Sequence, residues 1–270
     1  MFYDDVEESC NFIRKQMKQE VEIALILGSG LGGLIDILED QVIIPYKDIP
    51  HFPQVKVAGH AGNLVLGSIG DHYVMMMQGR FHYYEGFTMK ELTYPIYVMK
   101  LLNVSSLIIT NACGGINQSF KPGDLMLMED FINGVSVNPL IGDNDERFGP
   151  RFPDMSKPFN PEFVEHAKKI AQKEKIEYCQ GVYTFFQGPY YESAAEIRMY
   201  DKLGSDAIGM SSVPEVIAAN YMGLRVLGIA CITNMATGIR KDQHSHQEVV
   251  RIANASSEKL SRWIASIIKG

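Results

Sequence analysis

Residues 24–38 read ALILGSGLGGLIDIL: an apolar run, a glycine-rich turn, then Leu and Ile at helical spacing. A strand, a glycine turn and a helix start together aim backbone N–H groups and the positive end of a helix dipole at an anion, so phosphate recognition is the physical expectation. Gly28, Gly30 and Gly33 also satisfy G-x-G-x-x-G, and Asp48 stands near the distance at which a dinucleotide fold places its ribose-binding acid. A dinucleotide-dependent oxidoreductase is therefore an alternative. It is the weaker one, because Asp48 sits inside the Pro-flanked PYKDIP and Ser29 supplies a hydroxyl suited to a free phosphate.

Outward from that turn, two kinds of segment alternate. Short apolar runs ending in Gly, Asn or Ser read as strands at 21–28, 63–70, 72–79, 105–115, 124–132, 181–188, 206–212 and 224–234. Stretches with helical spacing lie at 4–18, 31–39, 88–102, 160–175, 193–203, 213–222 and 246–267. The pattern is α/β, and the continuously apolar strands suit a central sheet covered on both faces. The irregular stretch near 133–159 is long enough to expect a functional loop. No Pro/Ser/Gly-rich linker divides the chain, so residues 1–270 are expected to form a single domain.

Composition excludes several classes. A hydrophobic fraction of 46% and a charged fraction of 21% are those of a cored protein rather than a disordered one. A net charge of −7 without a block of Lys or Arg argues against a nucleic-acid partner. Cys10, Cys113, Cys179 and Cys231 are scattered with no CxxC pair, as expected of free thiols in a reducing compartment. The acidic, mixed N-terminus does not read as a signal peptide and no apolar run has membrane-spanning length, so a cytoplasmic location and no membrane partner are expected.

Chemistry gathers where the strands end. After HYVMMMQG come Arg80, Phe81, His82, Tyr83, Tyr84 and Glu85; strand alternation puts Arg80, His82 and Tyr84 on one side. An Arg fork and a His donor can hold phosphate oxygens by charge-assisted bonds, while a Tyr beyond them reaches a sugar hydroxyl. The strand SSLIITN delivers Asn111 and Ala112 into a Gly114–Gly115 turn that backbone donors can use to approach an anion. Met210 and Ser211 end another strand just before a helix opened by Pro214, where Ser211 is either an N-cap or an anion ligand. ITNMATG leaves Asn234 at the end of the most apolar strand, where an amide needs partners.

Taken together, LGSGLGGL, AGHAG, QGRFHYYEG, TNACGGIN, DNDERFGPRFP, GPYYESAAEIR, LGSDAIGMSSVPE and ITNMATG, in that order, resemble the purine nucleoside phosphorylases of the trimeric, low-molecular-mass class. The resemblance implies a mixed, twisted, partly barrel-like sheet flanked by helices, and a homotrimer with sites near subunit boundaries. It implies a phosphate site of Ser29, His60, Arg80, His82, Asn111, Ala112 and Ser211. It implies ribose contacts from Tyr84, Met210 and His246, and a Phe152 that reaches into a neighbouring subunit's site. Glu192 and Asn234 are implied to hold the purine, with Tyr183 and Tyr191 lining the base pocket; His244 competes with His246 for the ribose role. Met235 and Tyr190 stand where many members carry other residues, Met235 in the manner of bacterial members.

Charge explains why such a set would work. Breaking an N-glycosidic bond builds positive charge on ribose and negative charge on the departing base, and a catalyst must stabilise both. Phosphate beneath the sugar is both counter-charge and nucleophile, so it is a co-substrate, and no metal or organic cofactor is required. Asn234 would donate to purine N7, Glu192 would accept from N1–H, and His82 would serve among the catalytic groups. A 6-oxopurine offers that N1–H, whereas adenine leaves an unpaired acceptor costing roughly 1–3 kcal/mol, so inosine and guanosine should outrun adenosine by about 10- to 200-fold. Two further readings are a phosphorylase of methylthioadenosine, against which Asn rather than Asp at 234 speaks, and a nucleoside-binding protein without catalysis.

Overall fold

The apolar runs pair into one mixed sheet in the computed structural model, which describes residues 2–55, 61–239 and 246–270, with His246 by its backbone alone. The strands are β1 (Ile23–Ile26), β2 (Glu39–Pro45), β3 (Asn63–Ile69), β4 (His72–Gln78), β5 (Ser106–Gly115), β6 (Leu125–Asn133), β7 (Cys179–Phe185), β8 (Ala207–Gly209) and β9 (Arg225–Met235). The helices are α1 (Phe2–Arg14), α2 (Met89–Leu92), α3 (Tyr94–Leu101), α4 (Pro161–Lys173), α5 (Ala194–Lys202), α6 (Val213–Tyr221) and α7 (His246–Lys269). The sheet order is β2-β3-β4-β1-β5-β8-β7-β6-β9, and β9 pairs back onto β5. Strands β5, β8, β7, β6 and β9 therefore close a ring, and β1, β4, β3 and β2 continue from it as an open wing, the partly barrel-like mixed sheet expected of the chain.

Period-two alternation explains why the central strands are apolar throughout. Ala24 and Ile26 of β1, Met75 and Met77 of β4, and Leu107 and Ile109 of β5 join one core with α1, α3 and α6. Leu25, Val74, Met76 and Ile108 face the opposite way, into a core with α4 and α7. Trp263 of α7 is fully buried there; its indole Nε1 donates to the Ala167 carbonyl at 2.9 Å and its ring lies 5.3 Å from that of Tyr178.

Three elements depart from the sequence reading. The helix expected over 31–39 is a 3-10 turn, Gly32–Ile37, that gives way to strand β2. Glycines at 32 and 33 make a longer helix costly, and the expected α-helix behind the glycine turn is reduced to this short segment. Strand β2 had no readable pattern because it is a largely exposed edge whose register shifts between Glu39 and Val42. The helix expected over 88–102 breaks at Thr93 into α2 and α3, since Pro95 lacks the N–H that would continue the ladder.

Candidate active site

Strands β4, β1, β5 and β9 are mutually parallel, so their carboxyl ends open on one side of the sheet. Ligand sites of open α/β sheets lie at such ends. A cleft of about 710 Å³, its open mouth included, is found there. It is lined by Gly28 and Ser29 after β1, Arg80, His82 and Tyr84 after β4, and Asn111 to Gly114 at the end of β5. Tyr191, Glu192, Ile208 to Ser211, Thr233, Asn234 and Val249 complete the wall. Register explains the convergence: Gly114 of β5 pairs with Ile208 on one side and Asn234 on the other. Gly28 has to be glycine, because a Cβ there would stand 2.6 Å from the Asn111 Cα.

At one end of the cleft the donors are held from behind. Arg80, 1% exposed, donates through Nε to Glu215 Oε1 at 3.1 Å, through Nη2 to the same oxygen, and through Nη1 to the Thr110 carbonyl at 2.9 Å. His82 sits 2.9 Å from Glu85 Oε1 through Nδ1, and its backbone N–H donates to that oxygen at 2.8 Å. A carboxylate acceptor fixes Nδ1 as the protonated nitrogen. Tyr84 stacks on the imidazole at 4.8 Å, and burial pushes its phenol up to about 12, so it acts as a neutral hydroxyl. Asn111 Nδ2 donates to Ser212 Oγ at 2.7 Å, and the buried Asn111 Oδ1 has no hydrogen-bond partner.

The N-cap of α6 is Ser212 rather than Ser211, with φ 74° and ψ −50° and no side-chain cap. The Val213 N–H bonds back to the Ser211 carbonyl at 3.0 Å, closing a γ-turn of the rare positive-φ kind. This tight reversal leaves Ser211 on the cleft wall and turns Ser212 inward to Asn111.

The other end of the cleft is carried by the loop between β7 and α5 and by the end of β9. Glu192 is 6% exposed, and burial raises its carboxyl from 4.5 to about 7, with the negative charge of Glu196 adding to the rise and a backbone hydrogen bond opposing it. Its loop is tied to α5 through Glu196, which accepts from the Ser193 N–H at 2.8 Å and the Tyr190 hydroxyl at 3.0 Å. Asn234 Oδ1 receives the Thr233 hydroxyl at 3.1 Å, which orients the amide. Cys113 adds an apolar wall, since burial holds its thiol well above the ordinary range and hence protonated.

Of the residues singled out from sequence, Ser29, Arg80, His82, Tyr84, Asn111, Ala112, Tyr191, Glu192, Met210, Ser211 and Asn234 meet in this one cleft. Tyr183 does not line it: the ring is fully buried behind Gly209, where a Cβ would lie 2.5 Å from the phenol oxygen. Phe152 is 88% exposed and stands outside the lining of its own chain's cleft. His60, His244 and the His246 side chain lie outside the described residues. Sequence reasoning missed Glu215, Thr233 and Val249, of which only Thr233, beside a strand-end Asn, carried a readable signal. Among the described residues no cluster of His, Cys, Asp or Glu could hold a metal ion, and no helix is long and apolar enough to cross a membrane.

Comparison with known proteins assigns the chain and its fold to a family. The model of the phosphorylase superfamily matches residues 22–269. The chain is 48% identical to purine nucleoside phosphorylase 1 of Bacillus subtilis over 266 residues, covering 98% of this chain and 97% of that one. It is 41% identical to purine nucleoside phosphorylase of Mus musculus over 276 residues, covering 99% and 95%. Among solved structures it is similar to Schistosoma mansoni purine nucleoside phosphorylase in complex with adenosine, with a TM-score of 0.93, 38% identity and coverage of 98% and 96%. Isoform 2 from the same organism, in complex with cytosine and ribose-1-phosphate, gives a TM-score of 0.93 at 43% identity, again covering 98% and 96%. With nearly its full length matched in sequence and in structure, the chain belongs to the phosphorylase superfamily and, within it, to the purine nucleoside phosphorylases.

Proposed function

We propose that the protein catalyses the reversible phosphorolysis of purine nucleosides to free base and ribose 1-phosphate, a reaction of purine salvage. The observation that carries this reading is the two-ended cleft: a buried guanidinium, a carboxylate-backed imidazole and two serines at one end, a carboxylate and an oriented amide at the other. Phosphate takes the first end, on Arg80, His82, Ser29, Asn111, Ala112 and Ser211, with His60 expected to join them. The base takes the second, and Tyr84, Met210 and His246 meet the ribose between.

In the reaction the C1′–N9 bond breaks with its electron pair passing to the purine. A phosphate oxygen forms the new bond to C1′, under an oxocarbenium-like transition state flanked by the phosphate's negative charge. Asn234 donates to N7 as electron density collects there, and ionised Glu192 accepts from N1–H, which selects 6-oxopurines over adenine. Tyr191 covers the base; Tyr183 supports the wall from behind. The whole chain, 1–270, works as one unit, since the cleft draws on residues from Gly28 to Val249. It acts as a homotrimer in which the exposed Phe152 completes a neighbour's site, and in the cytoplasm, in keeping with four free thiols.

Hypoxanthine release from inosine, measured with phosphate and in phosphate-free buffer, tests the reading. Release that requires phosphate and yields ribose 1-phosphate is expected; equal release without phosphate would make the protein a hydrolase and overturn it.

A further inference from the structure

Glu215 is a buried carboxylate that the reaction above does not use. It sits in the first turn of α6, its side chain 4% exposed, and both its bonds to Arg80 fall on a single oxygen, Oε1. The other oxygen, Oε2, is buried with no hydrogen-bond partner, and the residue borders a void lined by Ile26, Met77, Phe81, Leu92 and Ile96. Neither solvent nor a second protein donor balances this carboxylate, so its counter-ion is Arg80.

The guanidinium has five N–H groups. Two are spent on Glu215 and one on the Thr110 carbonyl, and neither partner lines the cleft. Two N–H groups remain for an anion. Arg80 is also the only Lys or Arg among the described residues lining the cleft, so the anion end presents a cation whose charge is already offset by the carboxylate behind it.

We propose that Glu215 is the built-in counter-charge of the anion site, a positioning residue that aims the Arg80 fork and weakens the hold on anions enough for a phosphorylated product to leave. The proposal rests on the reading that this cleft takes phosphate. It makes a prediction opposite to that of a purely structural residue. Glu215→Gln keeps an acceptor oxygen for Arg80 and removes the negative charge, so phosphate should bind more tightly, by roughly 30-fold for a unit charge removed about 8 Å from the anion at an effective dielectric near 20. A substitution that merely loosened the fold would weaken binding instead.

The experiment is thermal unfolding of the wild-type protein and E215Q across a phosphate titration, with the KM for phosphate measured alongside. E215Q is expected to be the less stable without phosphate, to gain more from phosphate than the wild type does, and to show the lower KM for phosphate with the KM for inosine little changed. An E215Q affinity equal to or weaker than wild type would overturn the proposal. So would a variant that stays unfolded at saturating phosphate, because the bound anion is then no substitute for the lost carboxylate. A wild-type protein indifferent to phosphate would instead overturn the phosphorolysis reading itself.

Discussion

The Glu192 carboxyl is held near pH 7 by burial, in a wall where an N–H of the base is to be received. Below about pH 4.5 the group is protonated in both the folded and the unfolded chain. Between 4.5 and about 7 the unfolded chain gives up its proton first, so stability falls as pH rises through that window and the loss is complete above it. The loss is on the order of 3 kcal/mol. Recognition runs the other way, since the ionised carboxylate accepts from N1–H through a charge-assisted bond about twice as strong as the neutral acid can make. Glu192→Gln should therefore melt higher than wild type at pH 8 and nearly equally at pH 4, and should lower kcat/KM for inosine about 10- to 100-fold, the worth of a charge-assisted bond. Wild-type kcat/KM for inosine should rise through an acid limb centred near 7. Melting curves at the two pH values, with no gain for the variant at pH 8, would refute the account. Much of the site was legible at this scale because Ser29, Arg80, Asn111 and Asn234 break apolar runs at strand ends, where a polar side chain has no packing reason to be. Glu215 was not legible: in Val213-Pro214-Glu215, next to a helix-opening proline, it reads as an ordinary first-turn acid. Nor could the place of Tyr183 be read, because nothing in the sequence says that Gly209 opens a slot behind the wall.

Between β7 and α5 the base-holding loop is fastened to the helix it precedes. Glu196 accepts from both the Ser193 N–H and the Tyr190 hydroxyl, and Phe186 meets the Tyr190 ring edge-on at 5.1 Å. Tyr190→Phe keeps the ring contact and removes the bond to Glu196, so it should raise the KM for inosine a few-fold, the cost of one hydrogen bond of about 1 kcal/mol, and leave the KM for phosphate unchanged. Steady-state kinetics with each substrate varied in turn decide this; an unaltered KM for inosine would mean that the Ser193 cap alone sets the loop. Elements with two-sided burial were readable, because β1, β4, β5 and β9 must be apolar on both faces. The elements that escaped are those shaped by local geometry instead: the edge strand β2, the 3-10 turn after Gly28, and the break at Thr93.

For the assembled molecule, an aromatic ring 88% exposed in the loop before α4, absent from its own chain's cleft, is a surface in search of a partner. If Phe152 completes a neighbour's site, Phe152→Ala and Glu192→Gln homo-oligomers should each be poorly active, yet unfolding and refolding them together should recover activity, because a Phe152→Ala subunit with intact Glu192 then borrows Phe152 from a Glu192→Gln neighbour. Assay of the mixture against the sum of its parts checks this; strict additivity would confine each site to one chain. The sole tryptophan of the chain, Trp263, has its own consequence. It is sealed against α4 on the same helix whose Val249 borders the cleft, about 21 Å away along the axis. Its fluorescence thus comes from one indole in one environment, and a red shift of that emission signals, without interference from any other tryptophan, that the long C-terminal helix has come off the sheet and taken one border of the cleft with it.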